Sequence, residues 1–368
     1  MKKRCIAAGA LLTVSGYAAA QSQVTIYGIL DNGINYTTNQ GGSHNVQMAG
    51  GALNGNRWGL RGTEDLGGGL QAIFRLENGF DITNGKLANN GREFGRQAFV
   101  GLSSSRYGSL TLGRHYDSLG TFLGPLASSN KLVGFMSSHP GDADNVDSTA
   151  RVNSSVRFNS ADYNGFTFGG VYSFGGVAGS MKTNQIYSFG ASYQNGPVHL
   201  GFGYLNAQNP LNSMYDGSMT SPVNRGYSSA QSLQVIGAGG AYQFGALKLG
   251  ALYTNTQFKD VSFSSATPFS GAAKMNNYEF NAQYTWSNAV VISAAYTLTR
   301  AEKAGYQQLS AVYDYFLSKR TDIYALAIYQ RASGTDSTAA ASVAQIYGVS
   351  ASSSNGQGLL RIGMRHRF

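Results

Sequence analysis

Apolar and polar positions alternate with a period of two over many short stretches of the chain. From Tyr278 to Trp286, aromatic and alanine side chains occupy one set of alternate positions, and Glu, Asn, Gln and Thr occupy the other. Because successive side chains of a β-strand point to opposite faces, this period predicts strands and not helices. The same alternation recurs at 166–174, 187–193, 198–204 and 247–253.

Short turns and long polar segments separate these strands in regular succession. Most predicted turns contain Gly or Asn, which suit tight hairpins, and they lie at 66–69, 106–108, 163–165, 195–197, 244–246, 287–289 and 318–320. The predicted loops lie at about 39–54, 81–93, 117–150, 176–183, 209–230, 259–275, 301–305 and 333–356. Seven turns and eight loops join sixteen strands, an even number that places both chain ends on one side. The fold class is therefore all-β, a 16-stranded antiparallel β-barrel.

Composition decides which face of this barrel meets water. Only 12% of the 368 residues are charged, about half of what a soluble domain carries. After residue 20, no apolar run approaches the roughly 20 residues that a membrane helix requires. A transmembrane barrel satisfies both observations, because its strands are apolar toward lipid and polar toward the lumen. Sixteen strands also leave a water-filled channel. We predict one such domain over 21–368.

The first twenty residues predict a cleaved secretory signal peptide. Basic residues 2–4 precede a short apolar run, and alanines 18–20 form an A-x-A cleavage site. The only cysteine, Cys5, lies in this segment, so 21–368 has no disulfide and no cysteine metal site. The formal net charge of +9 becomes +6 after removal of residues 2–4. The basic residues are scattered and not clustered in a patch, so no nucleic-acid partner is expected.

Five segments, in order along the chain, carry a family resemblance. They read QVTIYGILD at 23–31, NRWGLRGTEDLGGG at 56–69, RQAFVGL at 96–102, LTLGR at 110–114 and GMRHRF at 363–368. Together they resemble the general trimeric porins of β-proteobacteria, of the Neisseria, Burkholderia and Comamonas type. The resemblance implies a homotrimer of sixteen-stranded barrels in the bacterial outer membrane. It also implies passive diffusion of small hydrophilic solutes and ions.

The last strand combines a lipid-facing surface with a candidate assembly signal. Alternation places positions 360, 362, 364, 366 and 368 on the lipid face, and Arg361, Arg365 and Arg367 on the lumen face. A terminal aromatic residue resembles the signal that the outer-membrane assembly machinery reads, so Phe368 is the candidate for that role. The alternative is that Phe368 is simply part of the aromatic girdle, and both can hold.

Alternation also predicts a basic wall inside the barrel. An arginine facing lipid near the midplane costs roughly 2–4 kcal/mol, whereas Val152, Val156 and Phe158 are suited to face outward. The predicted wall, which lies beside Glu77, consists of Arg57, Arg61, Arg75, Arg96, Arg151 and Arg157. Arg96 is ambiguous by alternation, because it shares a face with Ala98 and Val100; the family resemblance places it in the pore.

The segment 117–150 is the candidate constriction loop. In the resembling porins the loop at this place folds into the barrel, and apolar residues in its first half would bury against the wall. Its acids, Asp117, Asp142, Asp144 and Asp147, would then face the arginines and create a transverse field. The alternative is an external loop over the trimer axis. A calcium site at 142–147 is disfavoured because the spacing matches no known metal loop.

The resulting prediction is a weakly anion-selective porin with no cofactor, no metal and no enzymatic activity. Glu64, Asp65 and Glu77 could instead neutralise the arginines, which leaves the selectivity open. A substrate-specific channel is the main alternative, and a surface adhesin is another. An outer-membrane hydrolase is disfavoured because Ser103–Ser105 lack a histidine partner, and 237–240 lacks the lysine of a phosphate loop. Expected partners are outer-membrane lipid and lipopolysaccharide, and the assembly machinery.

Overall fold

The strands form a single closed antiparallel sheet in which β1 pairs with β17. The computed structural model describes residues 23–214, 216, 219, 221–264 and 267–368; the predicted signal peptide lies outside them. The strands of this described part are β1 (Gln23–Gln40), β2 (Ser43–Gly50), β3 (Arg57–Gly67), β4 (Leu70–Gly79), β5 (Gln97–Ser104), β6 (Gly108–His115), β7 (Val152–Ser160), β8 (Phe166–Ser173), β9 (Ile186–Asn195), β10 (Val198–Gln208), β11 (Ser232–Phe244), β12 (Leu247–Val261), β13 (Gly271–Ser287), β14 (Val290–Arg300), β15 (Ala304–Phe316), β16 (Thr321–Gly334) and β17 (Gly356–Arg367).

Two of these strands share one position in the barrel. β1 pairs with β3 over 23–29 and with β2 over 32–40, so β2 and β3 are halves of one interrupted strand. The closed barrel therefore has the predicted sixteen positions.

The predicted loop 39–54 is wrong. Its residues continue β1 to Gln40 and form β2, and the chain bends inward only at 51–56. Asp31 explains the bend, because its Oδ2 accepts hydrogen bonds from the backbone N–H groups of Leu53 (2.7 Å) and Asn54 (2.9 Å).

All seven short turns lie where the alternation predicted them, at one end of the barrel. The C-terminus and the start of β1 lie there too, because Gly28 and Phe368 exchange two backbone hydrogen bonds of 3.0 and 3.1 Å. We call this the turn end and the opposite one the loop end. The predicted loop 301–305 is only a tight turn, with the N–H of Ala301 donating to the carbonyl of Ala304 at 2.8 Å.

Large apolar side chains cover the outside of the barrel and polar ones its inside. Ile362 is 74% exposed and Trp286 is 70% exposed, whereas Asp31 and Asn277 are fully covered. This is the reverse of a water-soluble domain. Among the described residues no helix is long and apolar enough to cross a membrane. The short helical turns are Ala88–Gly91, Leu119–Leu123, Gly124–Leu126, Ser128–Leu132, Phe135–Ser137, Pro140–Asp142, Pro210–Ser213 and Arg225–Tyr227.

A bulge in β7 turns one side chain, Val152, to the face opposite to the predicted one. Val152 was expected to face outward, but it is 2% exposed and packs in the interior apolar cluster. The pairing of β6 with β7 shifts register between Gly113 and His115, and Ser154 adopts a φ of 46°. Such a bulge interrupts the alternation of side chains. Phe158, beyond the bulge, faces outward as predicted.

Candidate functional site

The segment 116–151, which we call the inner loop, crosses the interior of the barrel on a row of glycines. These glycines come from β9, β10 and β11 and are Gly190, Gly201, Gly203 and Gly237. A Cβ added at Gly203 would lie 2.8 Å from Leu119 Cδ2, and one at Gly190 would lie 2.8 Å from Phe122 Cδ2. The inner loop can approach the wall this closely only because these wall positions have no side chains.

A buried polar cluster fastens the other side of the inner loop to the wall. The imidazole of His139 contacts two carboxylates, Asp144 at 2.7 Å and Glu279 of β13 at 3.1 Å. Glu279 also accepts hydrogen bonds from the backbone N–H and hydroxyl of Ser128, both at 2.8 Å. Thr254 of β12 donates to Asp144 at 2.6 Å. The residues therefore form a latch that joins two turns of the loop to two strands.

Three of the four candidate loop acids are buried and accept hydrogen bonds within the loop or from the wall behind it. Asp117, Asp142 and Asp144 are at most 1% exposed. Asp117 accepts from the N–H of Gly120 at 2.9 Å, and Asp142 accepts from the hydroxyl of Thr149 at 2.7 Å. Asp147 alone of the four borders the open interior. The structure thus brings one candidate acid, not four, to the face opposite the arginines.

That open interior is a cavity of about 420 Å³ between the inner loop and the wall. Its wall side includes Arg57 and Arg96, and the inner loop contributes Phe135, Asp147 and, at its end next to β7, Arg151. Three guanidinium groups and two carboxylates, those of Asp81 and Asp147, therefore border the same space. Fixed charge in a narrow water-filled passage acts on ions because field lines concentrate there.

The three arginines differ in their partners. Arg96 donates to Glu77 at 2.7 Å and to the hydroxyl of Tyr116 at 2.8 Å. Arg57 donates to the carbonyl of Gly55 at 2.9 Å, and Arg151 donates to the carbonyl of Thr149 at 2.7 Å. Neither makes a salt bridge within the described part of the chain. Of the suggested neutralising acids, Glu77 therefore balances Arg96.

Arg61, Arg75 and Arg157 form a second group outside this cavity. Arg61 lies over the ring of Tyr27 at 5.5 Å, and Arg75 lies between Tyr27 at 5.9 Å and Phe99 at 6.0 Å. Arg157 donates to the hydroxyl of Thr121 on the inner loop at 3.0 Å. Aromatic faces attract cations without neutralising them.

The arginines of β17 face inward but are balanced by acids that the sequence did not single out. Arg361 meets Asp31 at 3.3 Å, and Arg365 meets Asp314 at 2.8 Å and Asp322 at 3.1 Å. Alternation could have identified these acids in the sequence, because it places Asp314 of β15 and Asp322 of β16 on the inner faces of their strands. Because acids pair with them, these arginines of β17 do not count as unpaired charge in the pore.

Comparison with known proteins places this geometry in a family. A family model described as Gram-negative porin matches residues 7–356. An outer-membrane porin of Bordetella pertussis is 32% identical, over 90% of this chain and 94% of its own. Outer membrane porin protein 32 of Delftia acidovorans is 28% identical over the full length of both. The chain belongs to the Gram-negative porin family.

Solved structures support the assignment of this chain to the Gram-negative porin family. The anion-selective porin from Comamonas acidovorans superposes with a TM-score of 0.76 and 25% identity, over 95% of this chain and 100% of that one. The porin is thus an outer-membrane protein, and its barrel is a water-filled channel for passive diffusion of small hydrophilic solutes and ions. It is a channel and not an enzyme.

We expect the packing of the inner loop to weaken as the pH rises. Burial disfavours the charged imidazole, but Asp144 and Glu279 outweigh burial and hold the pKa of His139 well above its usual value. Burial raises the pKa of Asp117 to about 6. Groups with a raised pKa bind protons more tightly when packed, so their contribution is complete at low pH and is lost as the pH rises.

Asp144 has the opposite effect on the pH dependence of the loop packing. Burial raises its pKa, but His139 outweighs burial and lowers it, so Asp144 opposes the trend only below about pH 4. Amide hydrogen exchange in 117–150, corrected for the intrinsic pH dependence of exchange, should show less protection at about pH 9 than at about pH 5. His139→Gln should flatten the part of this profile above about pH 6.5. Equal corrected protection at both pH values in the unaltered porin would contradict the latch.

Proposed function

We propose that this porin is weakly anion-selective. The observation that carries the proposal is that Arg57 and Arg151 border the central cavity without a salt-bridge partner among the described residues, while Arg96 is balanced by Glu77. Burial and the neighbouring Asp142 raise the pKa of Asp147, which reduces the negative charge on the opposite side. The description of the similar Comamonas acidovorans protein as anion-selective supports the same direction.

The test is the zero-current potential of the porin in a planar bilayer under a KCl gradient. Anion preference should be clear near 0.1 M salt, where the Debye length is about 10 Å, and small near 1 M, where it is about 3 Å. A potential with the sign of cation preference would overturn the proposal and leave the family assignment intact. Saturation of the current by one candidate solute would favour the alternative, a substrate-specific channel.

The porin works as a homotrimer that the outer-membrane assembly machinery inserts after cleavage of a signal peptide at 1–20. A trimer form of a protein with the same fold, OmpT of Vibrio cholerae, supports this proposal at the level of the fold. The terminal Phe368 is proposed as the assembly signal, at the end where it closes β17 against Gly28. Lipopolysaccharide is the proposed lipid partner.

Assembly is expected to show in electrophoresis. The purified porin should migrate as a folded trimer until it is boiled. Opening a closed barrel would leave backbone groups unpaired, so each subunit keeps its fold, and with it the surface through which subunits associate, until boiling. Deletion of Phe368 should reduce the outer-membrane yield while export across the inner membrane continues. A native extract that contains only monomers would refute the trimer, and unchanged surface levels of the deletion variant would refute the signal.

A further inference from the structure

Five basic residues lie on the outer surface of the barrel, at the loop end of β12 to β16. This basic outer patch consists of Lys259, Lys274, Arg300, Lys303 and Arg331. The strand members alternate with fully covered residues of the inner face, Phe258, Met275, Thr299 and Ala332. Alternation therefore directs these basic side chains outward, away from the pore.

The patch has an excess of uncompensated positive charge. None of its five members makes a salt bridge with a described residue. Glu302 and Asp260 are the exposed acids in this region, and Glu302 accepts a hydrogen bond from the backbone N–H of Lys274 at 2.8 Å. Lys259 donates to the side chain of Gln234. Five cations therefore face two carboxylates.

Tyrosines mark the depth of the patch in the membrane. Tyr253, Tyr278 and Tyr329 point outward on β12, β13 and β16, and each is followed toward the loop end by members of the patch. Such tyrosines sit where hydrocarbon meets headgroups. The long loops of a bacterial outer-membrane barrel are extracellular. The patch consequently lies at the headgroup level of the outer leaflet.

The surface around Arg300 is open to a ligand. Its guanidinium lies beside Gly305 of β15, where an added Cβ would come 3.7 Å from Arg300 Nη1 and 2.9 Å from the hydroxyl of Ser333. Gly305 carries no side chain that could cover the exposed guanidinium of Arg300, and the nearby Ser333 hydroxyl donates to the Gly305 carbonyl at 3.3 Å. Arginine recognises phosphate through two parallel hydrogen bonds, and lysine adds point charge.

We propose that the basic outer patch binds the phosphorylated headgroup of an outer-leaflet glycolipid. The proposal rests on the outer-membrane location and deepens the lipid partnership proposed above. The apolar surface below the tyrosines holds the acyl chains, and the patch holds the phosphates. Free phosphate has no acyl chains to contact the apolar surface, so the ligand is the headgroup of a lipid.

The test compares two triple variants that lose the same charge. The patch variant is Lys274→Gln/Arg300→Gln/Arg331→Gln. The control variant is Arg106→Gln/Lys319→Gln/Arg320→Gln, all in turns at the opposite end. Binding of diphosphorylated lipid A to the purified, full porin in detergent is measured by native mass spectrometry and by fluorescence titration.

The patch variant should bind diphosphorylated lipid A at least roughly tenfold more weakly than the unaltered porin, since each basic group near a charged lipid surface contributes several-fold. The control should stay within about twofold. Lipid A without its phosphates should bind both forms weakly, and free pyrophosphate should not compete. Equal binding by the patch and control variants, or efficient competition by pyrophosphate, would overturn the proposal.

A pore measurement separates this proposal from the proposed selectivity. In a phosphatidylcholine bilayer the patch variant should conduct ions with the conductance and zero-current potential of the unaltered porin, because the altered side chains point away from the lumen. It should also keep its heat-modifiable migration, which shows that the barrel is folded. A folded patch variant that still binds lipid A tightly refutes the site whatever its selectivity.

Discussion

Replacing both Arg57 and Arg151 by glutamine is expected to abolish the anion preference in dilute salt. These two arginines are the cavity-lining guanidinium groups without a carboxylate partner among the described residues, so their removal leaves the pair Arg96 and Glu77 together with the carboxylates of Asp81 and Asp147. A unit charge about 4 Å from an ion's path is worth about 1 kcal/mol even at the dielectric constant of water. That energy corresponds to about a fivefold change in the local concentration of an anion, and a similar change of opposite sign for a cation.

The measurement is the zero-current potential of the double variant at about 0.1 M and about 1 M KCl. The control is Arg106→Gln/Arg320→Gln, which removes the same charge in turns outside the cavity. Glu77→Gln should change the selectivity in the opposite direction. It removes the carboxylate that pairs with Arg96, so the anion preference should increase. A double variant that keeps the potential of the unaltered porin would show that these arginines do not set the selectivity.

Substituting valine for Gly203 is expected to dislodge the inner loop while the barrel stays closed. The new Cβ would meet Leu119 at 2.8 Å through Cδ2 and at 3.1 Å through Cα, so part of the contact is backbone that cannot rotate away. Overpacking of this kind costs about 1–3 kcal/mol. Because the inner loop borders the central cavity, its displacement should alter the single-channel conductance and expose 117–150 to protease.

Gly240→Val on β11 is the matched control. Its Cβ would meet only the flexible tip of Leu200 at 2.9 Å and a carbonyl at 3.5 Å, on the outer face. This variant should retain the conductance and protease resistance of the unaltered porin. If Gly203→Val behaved in the same way, the glycine row would not be what seats the inner loop.

The alternation of side chains determined the architecture of this porin. A period of two specifies which residues share a face, and short turns specify where the strands reverse. Sixteen positions, all seven turns, and the outward-facing Phe158, Trp286 and Ile362 follow from local pattern alone. The inward orientation of Arg361 and Arg365 follows from it as well.

Local pattern failed where a register shift or an inward bend interrupts the alternation. Val152 is turned inward by the bulge at Ser154. Residues 43–50 of the predicted loop form β2, and the chain bends only after them, at 51–56, where Asp31 accepts hydrogen bonds from the backbone. A period of two carries no information about such interruptions, since they depend on pairing with another strand.

Only the tertiary structure decided which charges remain free at the pore. The latch joins His139 to Glu279 across 140 positions, and Ser128 to Glu279 across 151. Contacts that distant leave no periodic trace in the sequence, so the acids of the inner loop could be recognised but their partners could not. The free charge of the cavity is what remains after burial and pairing, and both depend on how the loop lies on the glycine row.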